Sequence, residues 1–182
     1  MNSFERARSA LDHEMAAMRD ADELRKRIRD AFPAEQYFGP VTNGCTCEEC
    51  TALANALLHQ RWDALSDETL EEQFGSLPLL SPEALAAFLP AWMIRSLDNL
   101  DLSEQKIREW TLYELALYYD EKTDEPDELP SRIDRLRRRA AALMPQQIGV
   151  VARFLRFVQD HAAIAEWDRE SIRRGLEVAW QR

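Results

Sequence analysis

The chain has 182 residues, 33 acidic against 23 basic, for a formal net charge of −10. A chain of this size buries enough surface to fold without disulfides or metals, and 46 % hydrophobic residues exclude a disordered polymer. The acidic balance speaks against a nucleic-acid backbone as main partner, and no apolar run reaches the roughly 20 residues that span a bilayer.

Val, Ile and Thr are scarce and no stretch alternates with period two, so an all-α fold is expected. In chain order, Phe4, Ala7, Leu11, Met15 and Met18 recur at helical spacing, and Leu24, Ile28 and Phe32 continue a related stripe. That is one long helix, or two joined near Asp20 to Asp22. The segment from Pro33 to Gly44 reads as a loop pinned by Tyr37 and Phe38. A second helix starts near Thr46 and carries Leu53, Leu57 and Leu58. A short acidic helix from about Asp67 to Phe74 ends at Gly75, a natural position for a left-handed stop.

The clearest helix start is Ser81-Pro82-Glu83, a capping serine, a first-turn proline and an acid facing the positive end of the dipole. Leu85 to Leu97 is apolar all round, which marks it as the central buried helix, and Pro90 should bend or split it. Another helix opens at Ser103 with Ile107, Trp110, Leu112, Leu115, Leu117 and Tyr119. The stretch Asp120 to Glu128 is strongly acidic and reads as a solvated loop closed by Pro126 and Pro130. Arg132, Arg135, Arg137, Arg138 and Arg139 follow on a helix whose inner face holds Ile133, Leu136, Ala140 and Leu143, and they read as a solvated face neutralised by that loop. Two last helices start at Pro145 and at a capping Asp168. The expected architecture is a single domain over residues 1–182, a bundle of seven to eight helices.

Cys45, Cys47 and Cys50 place three thiols within six residues. Zinc wants four ligands, usually from two paired knuckles, and only one is present. His59 falls out of phase on a continuous helix, and His13 would have to arrive by tertiary packing. The preferred reading is a capping box, Thr46-x-x-Glu49, with Cys45 and Cys50 as its hydrophobic staple and Cys47 at N1, where a thiolate is favoured. Zinc, or redox chemistry at Cys47, is the alternative. His13-Glu14 resembles half of a zinc-protease motif but lacks the second histidine, since position 17 is Ala17. With five glycines and no phosphate-binding or nucleophile-elbow pattern, no catalytic residue and no cofactor are assigned. Trp110, Tyr113, Tyr118 and Tyr119 either line a pocket or belong to the core.

Ile28-x-x-Ala31-Phe32, Tyr37-x-Gly39, Cys47-x-x-Cys50, Trp62, Leu79-Leu80-Ser81-Pro82-Glu83-Ala84 and Leu89-Pro90-Ala91 together resemble a family of uncharacterised bacterial proteins carrying a domain of unknown function. A weaker likeness runs from Gln146 to Val158, so residues 24 to about 160 are covered. The resemblance implies a compact bacterial domain and carries no activity. The leading functional expectation is a non-catalytic, cytoplasmic interaction protein of the immunity or antagonist type, whose acids at 66–72 and 120–128 steer a basic protein partner. The cytoplasmic expectation rests on a start without an apolar leader.

Overall fold

Helical spacing is realised as eight α-helices in the computed structural model, which describes residues 3–102, 105–119, 124–125 and 128–180. They are α1 (Ser3–Ala31), α2 (Glu48–Leu57), α3 (Asp67–Glu72), α4 (Pro82–Ser96), α5 (Lys106–Leu115), α6 (Glu128–Ala141), α7 (Pro145–His161) and α8 (Glu166–Ala179). Among the described residues there is no β-strand, only an isolated antiparallel bridge between Thr42 and Leu80.

The start of α4 follows its sequence. Ser81 Oγ accepts the Ala84 N–H at 3.1 Å and donates to the Pro40 carbonyl at 2.8 Å. Leu85, Phe88, Leu89, Trp92 and Met93 are buried around the helix axis, against α1, α5, α6 and the 3₁₀ turn Trp62–Ala64. Pro90 does not split the helix, contrary to one of the two expectations. A mid-helix proline costs about 3 kcal/mol, whereas each large side chain buried beside it returns roughly 1.5–3 kcal/mol. Leu89, Ala91, Trp92 and Met93, all buried, outweigh that cost.

α1 is one continuous helix. Its second half buries Ala21, Leu24, Ile28 and Ala31, packing on α7 and α4, yet Leu11, Met15 and Met18 are exposed. The apolar stripe is helical throughout but only half of it meets the core; the side chains of Phe4, Ala7 and His13 lie outside the described residues. In the following loop Tyr37 meets Phe88 edge to face at 5.5 Å, while Phe38 stays exposed and pins nothing in the core.

Further corrections concern helix ends and charge. Ser103 lies outside the described residues, and α5 begins at Lys106 behind Gln105. Pro130 belongs to the first turn of α6 and not to the acidic loop, because a missing N–H is harmless there. α8 begins after Ala165, so Asp168 is its third residue and reaches back to accept the Ala165 N–H at 3.2 Å. Arg139 is not on the solvated face: it is buried, 2.7 Å from the buried Glu114 carboxylate, with its guanidinium donating to the carbonyls of Leu80 and Pro78. Arg132 does behave as read, pairing with Asp124 and Glu128.

Gly175 is where α8 crosses the end of α5. A methyl group there would lie 3.0 Å from Ala116 Cα and 3.1 Å from the Leu115 carbonyl oxygen. That close approach lets the Leu117 N–H reach the Ser171 carbonyl at 3.0 Å and Trp180 Nε1 reach that of Leu115 at 2.7 Å. The segment after α5 is thereby laid along α8.

Candidate functional site

Two places gather chemistry-bearing side chains. The first is a cleft of about 620 Å³ between α5 and the start of α8, lined by Glu109, Trp110, Tyr113, Tyr118, Ile164 and Asp168 among others. Trp110 and Tyr113 sit one turn apart on α5, so their rings meet at 5.5 Å. Tyr118, delivered by the segment locked on α8, lies 5.8 Å from Tyr113 and 6.5 Å from Trp167. At the other end Phe74 closes on Trp110 at 6.2 Å, and Trp110 also covers Gly75. Gly75 is thus not the left-handed stop read from sequence: among the described residues the only glycine with positive φ is Gly44. Its missing side chain makes room for the indole.

Three of these rings stand outside the core, while Phe74 and Tyr118 are partly buried against it. Trp110 is 37 % exposed, Tyr113 42 % and Trp167 43 %, so of the aromatic set read from sequence Trp110 and Tyr113 take the pocket alternative, while Tyr119 is buried. Tyr118 donates its hydroxyl to Asp168 Oδ1 at 2.7 Å. Burial, then that bond and the Asp168 charge, push the phenol pKa well above its ordinary value, so the hydroxyl stays neutral. Cations already seek these rings: Arg135 stands over Tyr113 at 5.7 Å and Lys106 over Phe74 at 5.3 Å.

The second place is the cysteine segment, and the capping box does not form. α2 begins at Glu48, with Cys47 as its N-cap and no side-chain cap bond. Thr46 is exposed one residue too early, and Cys45, expected as a buried staple, is exposed as well. The physical reason is a shift of the first turn, which closes on the Cys47 carbonyl through the N–H and hydroxyl of Thr51 at 3.0 and 2.9 Å. The three sulfurs converge instead. All lie within 4.8 Å of one another, and the Cys45 and Cys47 sulfurs are 3.1 Å apart. The Cys47 amide, and then the neighbouring thiols, lower the Cys45 pKa; bonding toward Cys45 and burial push that of Cys50 up to about 12. His59 does not join them; its ring packs tilted against Phe38 at 5.2 Å.

The acids expected to steer a partner are partly engaged within the chain. Asp67 and Glu71 approach Arg95 at 3.8 and 3.2 Å, and Asp124 and Glu128 hold Arg132. Asp120, Glu121 and Asp127 lie outside the described residues.

The model of a family of unknown function, DUF6714, matches residues 20–181. The chain belongs to this family. No curated protein and no solved structure matches it. The DUF6714 match extends past residue 160 and takes in α8, which the likeness read from sequence left out. That agrees with the packing, because Ile172, Leu176 and Trp180 are buried in the common core. Both candidate places of this DUF6714 chain fall inside the match.

Several structural residues escaped the sequence reading. Arg108 is almost wholly buried and donates to the carbonyls of Ser96, Asp98, Asn99 and Leu102, which ties α5 to the end of α4. Trp167 had a legible signal, a tryptophan in a first helical turn, where a large ring stands clear of the bundle.

Proposed function

We propose that the protein is a non-catalytic interaction module of the immunity or antagonist type, which holds a basic segment of a partner protein on the cleft between α5 and α8 in the bacterial cytoplasm. One observation carries the reading: Trp110 and Tyr113 stand exposed in the cleft beside Glu109 and Asp168, and Tyr118 links them to the exposed ring of Trp167. Exposed tryptophan and tyrosine are the residues that dominate binding energy at protein interfaces. Rings flanked by carboxylates suit guanidinium and ammonium groups, and Arg135 and Lys106 already use them so within the chain. The net charge of −10 favours approach of a basic partner. The Tyr118 hydroxyl, held neutral, is a poor nucleophile, which favours binding over covalent catalysis. An odd number of thiols suits a reducing compartment.

The test is a titration of the protein with an arginine-rich peptide and with the same peptide carrying glutamate at the arginine positions, read by tryptophan fluorescence. The basic peptide should bind saturably and more weakly as salt rises. Trp110→Ala or Trp167→Ala should weaken it by about thirtyfold, the equivalent of the ~2 kcal/mol of an interface hot spot. Equal binding of the acidic peptide, or unchanged binding in both variants, would remove the cleft from the account. A gene for a basic toxin or enzyme beside this one would name the partner class.

A further inference from the structure

The cleft leaves the cysteine cluster unexplained, and the failure of the capping box takes away its structural account. We propose that Cys45, Cys47 and Cys50 form a three-thiolate site for one Zn(II) ion whose fourth position opens to solvent. A zinc–sulfur bond of about 2.3 Å in a tetrahedron sets neighbouring sulfurs about 3.8 Å apart. The observed sulfurs bracket that edge, with 3.1 Å between Cys45 and Cys47 and 4.8 Å as the outer limit. Small side-chain rotations therefore suffice to seat the ion.

The backbone that presents the thiols is already fixed at both ends, so little ordering cost remains for the metal. Upstream, the Thr42–Leu80 bridge and the Ser81 N–H to Val41 carbonyl bond at 2.9 Å tie the segment to the start of α4. Downstream, Leu53 and Leu57 anchor α2 in the core. Between them Gly44, at φ +80°, turns the chain so that Cys45 comes back toward the first turn of α2. Cys47 as N-cap and Cys50 three residues later then face the same side as Cys45.

The donor set selects the ion and leaves one side open. Three sulfurs favour zinc over magnesium or calcium, which take oxygen. Cys50 is 2 % exposed and forms the floor, whereas Cys45 and Cys47 are exposed and form the rim. No histidine or carboxylate joins the group among the described residues, so water or a donor from outside the chain completes the tetrahedron. Zinc with three protein ligands and one exchangeable position is the arrangement of reactive sites, while fully closed sites are structural. The bound ion would carry a local charge of −1 with three thiolates, and protons leave as it binds.

The test uses the reduced full-length protein. Zn(II) is titrated against a chromophoric zinc indicator, and Co(II) is used as a spectroscopic stand-in. One equivalent of zinc should be taken from the indicator, and Co(II) should give intense sulfur-to-metal charge-transfer absorption with tetrahedral visible bands. Losing even an outer partner of a zinc ligand weakens binding by about ten- to a hundredfold, so Cys45→Ser and Cys47→Ser should each cost at least a hundredfold. Both positions are exposed, and circular dichroism verifies that the variants fold. No uptake by the reduced protein, half an equivalent per chain, octahedral cobalt spectra, or unchanged affinity in both variants would each overturn the site. None of these results bears on peptide binding at the cleft.

Discussion

The N-termini of α4 and α2 look alike in sequence and differ in structure. Each offers a hydroxyl residue, Ser81 or Thr46, placed before a run of helix formers with an acid close behind. Ser81 caps; Thr46 does not. At α4 the serine is held from both sides, by the Ala84 N–H it accepts and the Pro40 carbonyl it donates to, and Pro82 fixes the backbone angle at the first helical position. At α2 no proline sets the start, and the residues around Thr46 are thiols that gather on one another. A cap motif therefore decides a helix start only where a second constraint agrees with it. Where polar and sulfur atoms compete for the same turn, the boundary moves by a residue and the side chains change roles.

The sharpest test of this contrast is Ser81→Ala. It removes the cap of the Ala84 N–H and one of the two donors to the Pro40 carbonyl, which keeps the Tyr37 hydroxyl at 3.0 Å. Cap loss costs about 1 kcal/mol and the lost bond to a carbonyl that keeps another donor adds about 0.5 kcal/mol, so denaturant unfolding should show a loss of about 1.5 kcal/mol. A loss below about 0.5 kcal/mol, the usual size for a surface change, would mean that α4 is placed by its burial alone.

How legible the molecule was in its sequence follows the same division. The all-α class, the central Leu85 to Leu97 segment and the inner faces of α6 and α7 could be read because each rests on many residues at one spacing. Ile148, Val151, Phe154, Leu155 and Val158 are all buried as that spacing requires. Features resting on one residue were not legible. Periodicity predicted a helix through Leu11, Met15 and Met18 but not which half of α1 meets the core. Arg139 sits among four arginines of similar local sequence, and only the tertiary position of Glu114 selects it for burial. At the cleft, Trp110, Tyr113 and Tyr118 were visible as a set, yet whether they faced in or out depended on Gly175 bringing α8 against the end of α5. The cysteines were visible as a cluster, and their convergence depended on a one-residue shift in a helix start.

A smaller effect separates the two ends of the cysteine turn. If the first turn of α2 is held by the burial of Cys50 and not by a hydroxyl cap, Cys50→Ala in metal-free buffer with chelator should destabilise by about 1 kcal/mol through the small cavity it leaves. The measurement is again denaturant unfolding, with the chelator removing any contribution from a bound ion. A neutral result would show that the sulfur fills no needed space in the metal-free chain, and the comparison with Ser81 would then rest on the proline alone.

The smallest expected effect is at Thr46, and it discriminates most directly between the two helix starts. As the cap of a box, its hydroxyl would accept the N–H of Glu49, and Thr46→Ala would cost about 1 kcal/mol. In the structure Thr46 is exposed, makes no side-chain hydrogen bond among the described residues, and precedes the cap position. Alanine there removes no partner and exposes nothing. Thr46→Ala should therefore change stability by less than about 0.5 kcal/mol, as substitutions at uninvolved surface positions do. It should also leave zinc uptake unchanged, because the threonine offers no sulfur and the thiols are positioned by Gly44 and by α2. A loss near 1 kcal/mol would restore the capping box, return Cys45 to the role of staple, and withdraw the convergence of thiols on which the metal site depends.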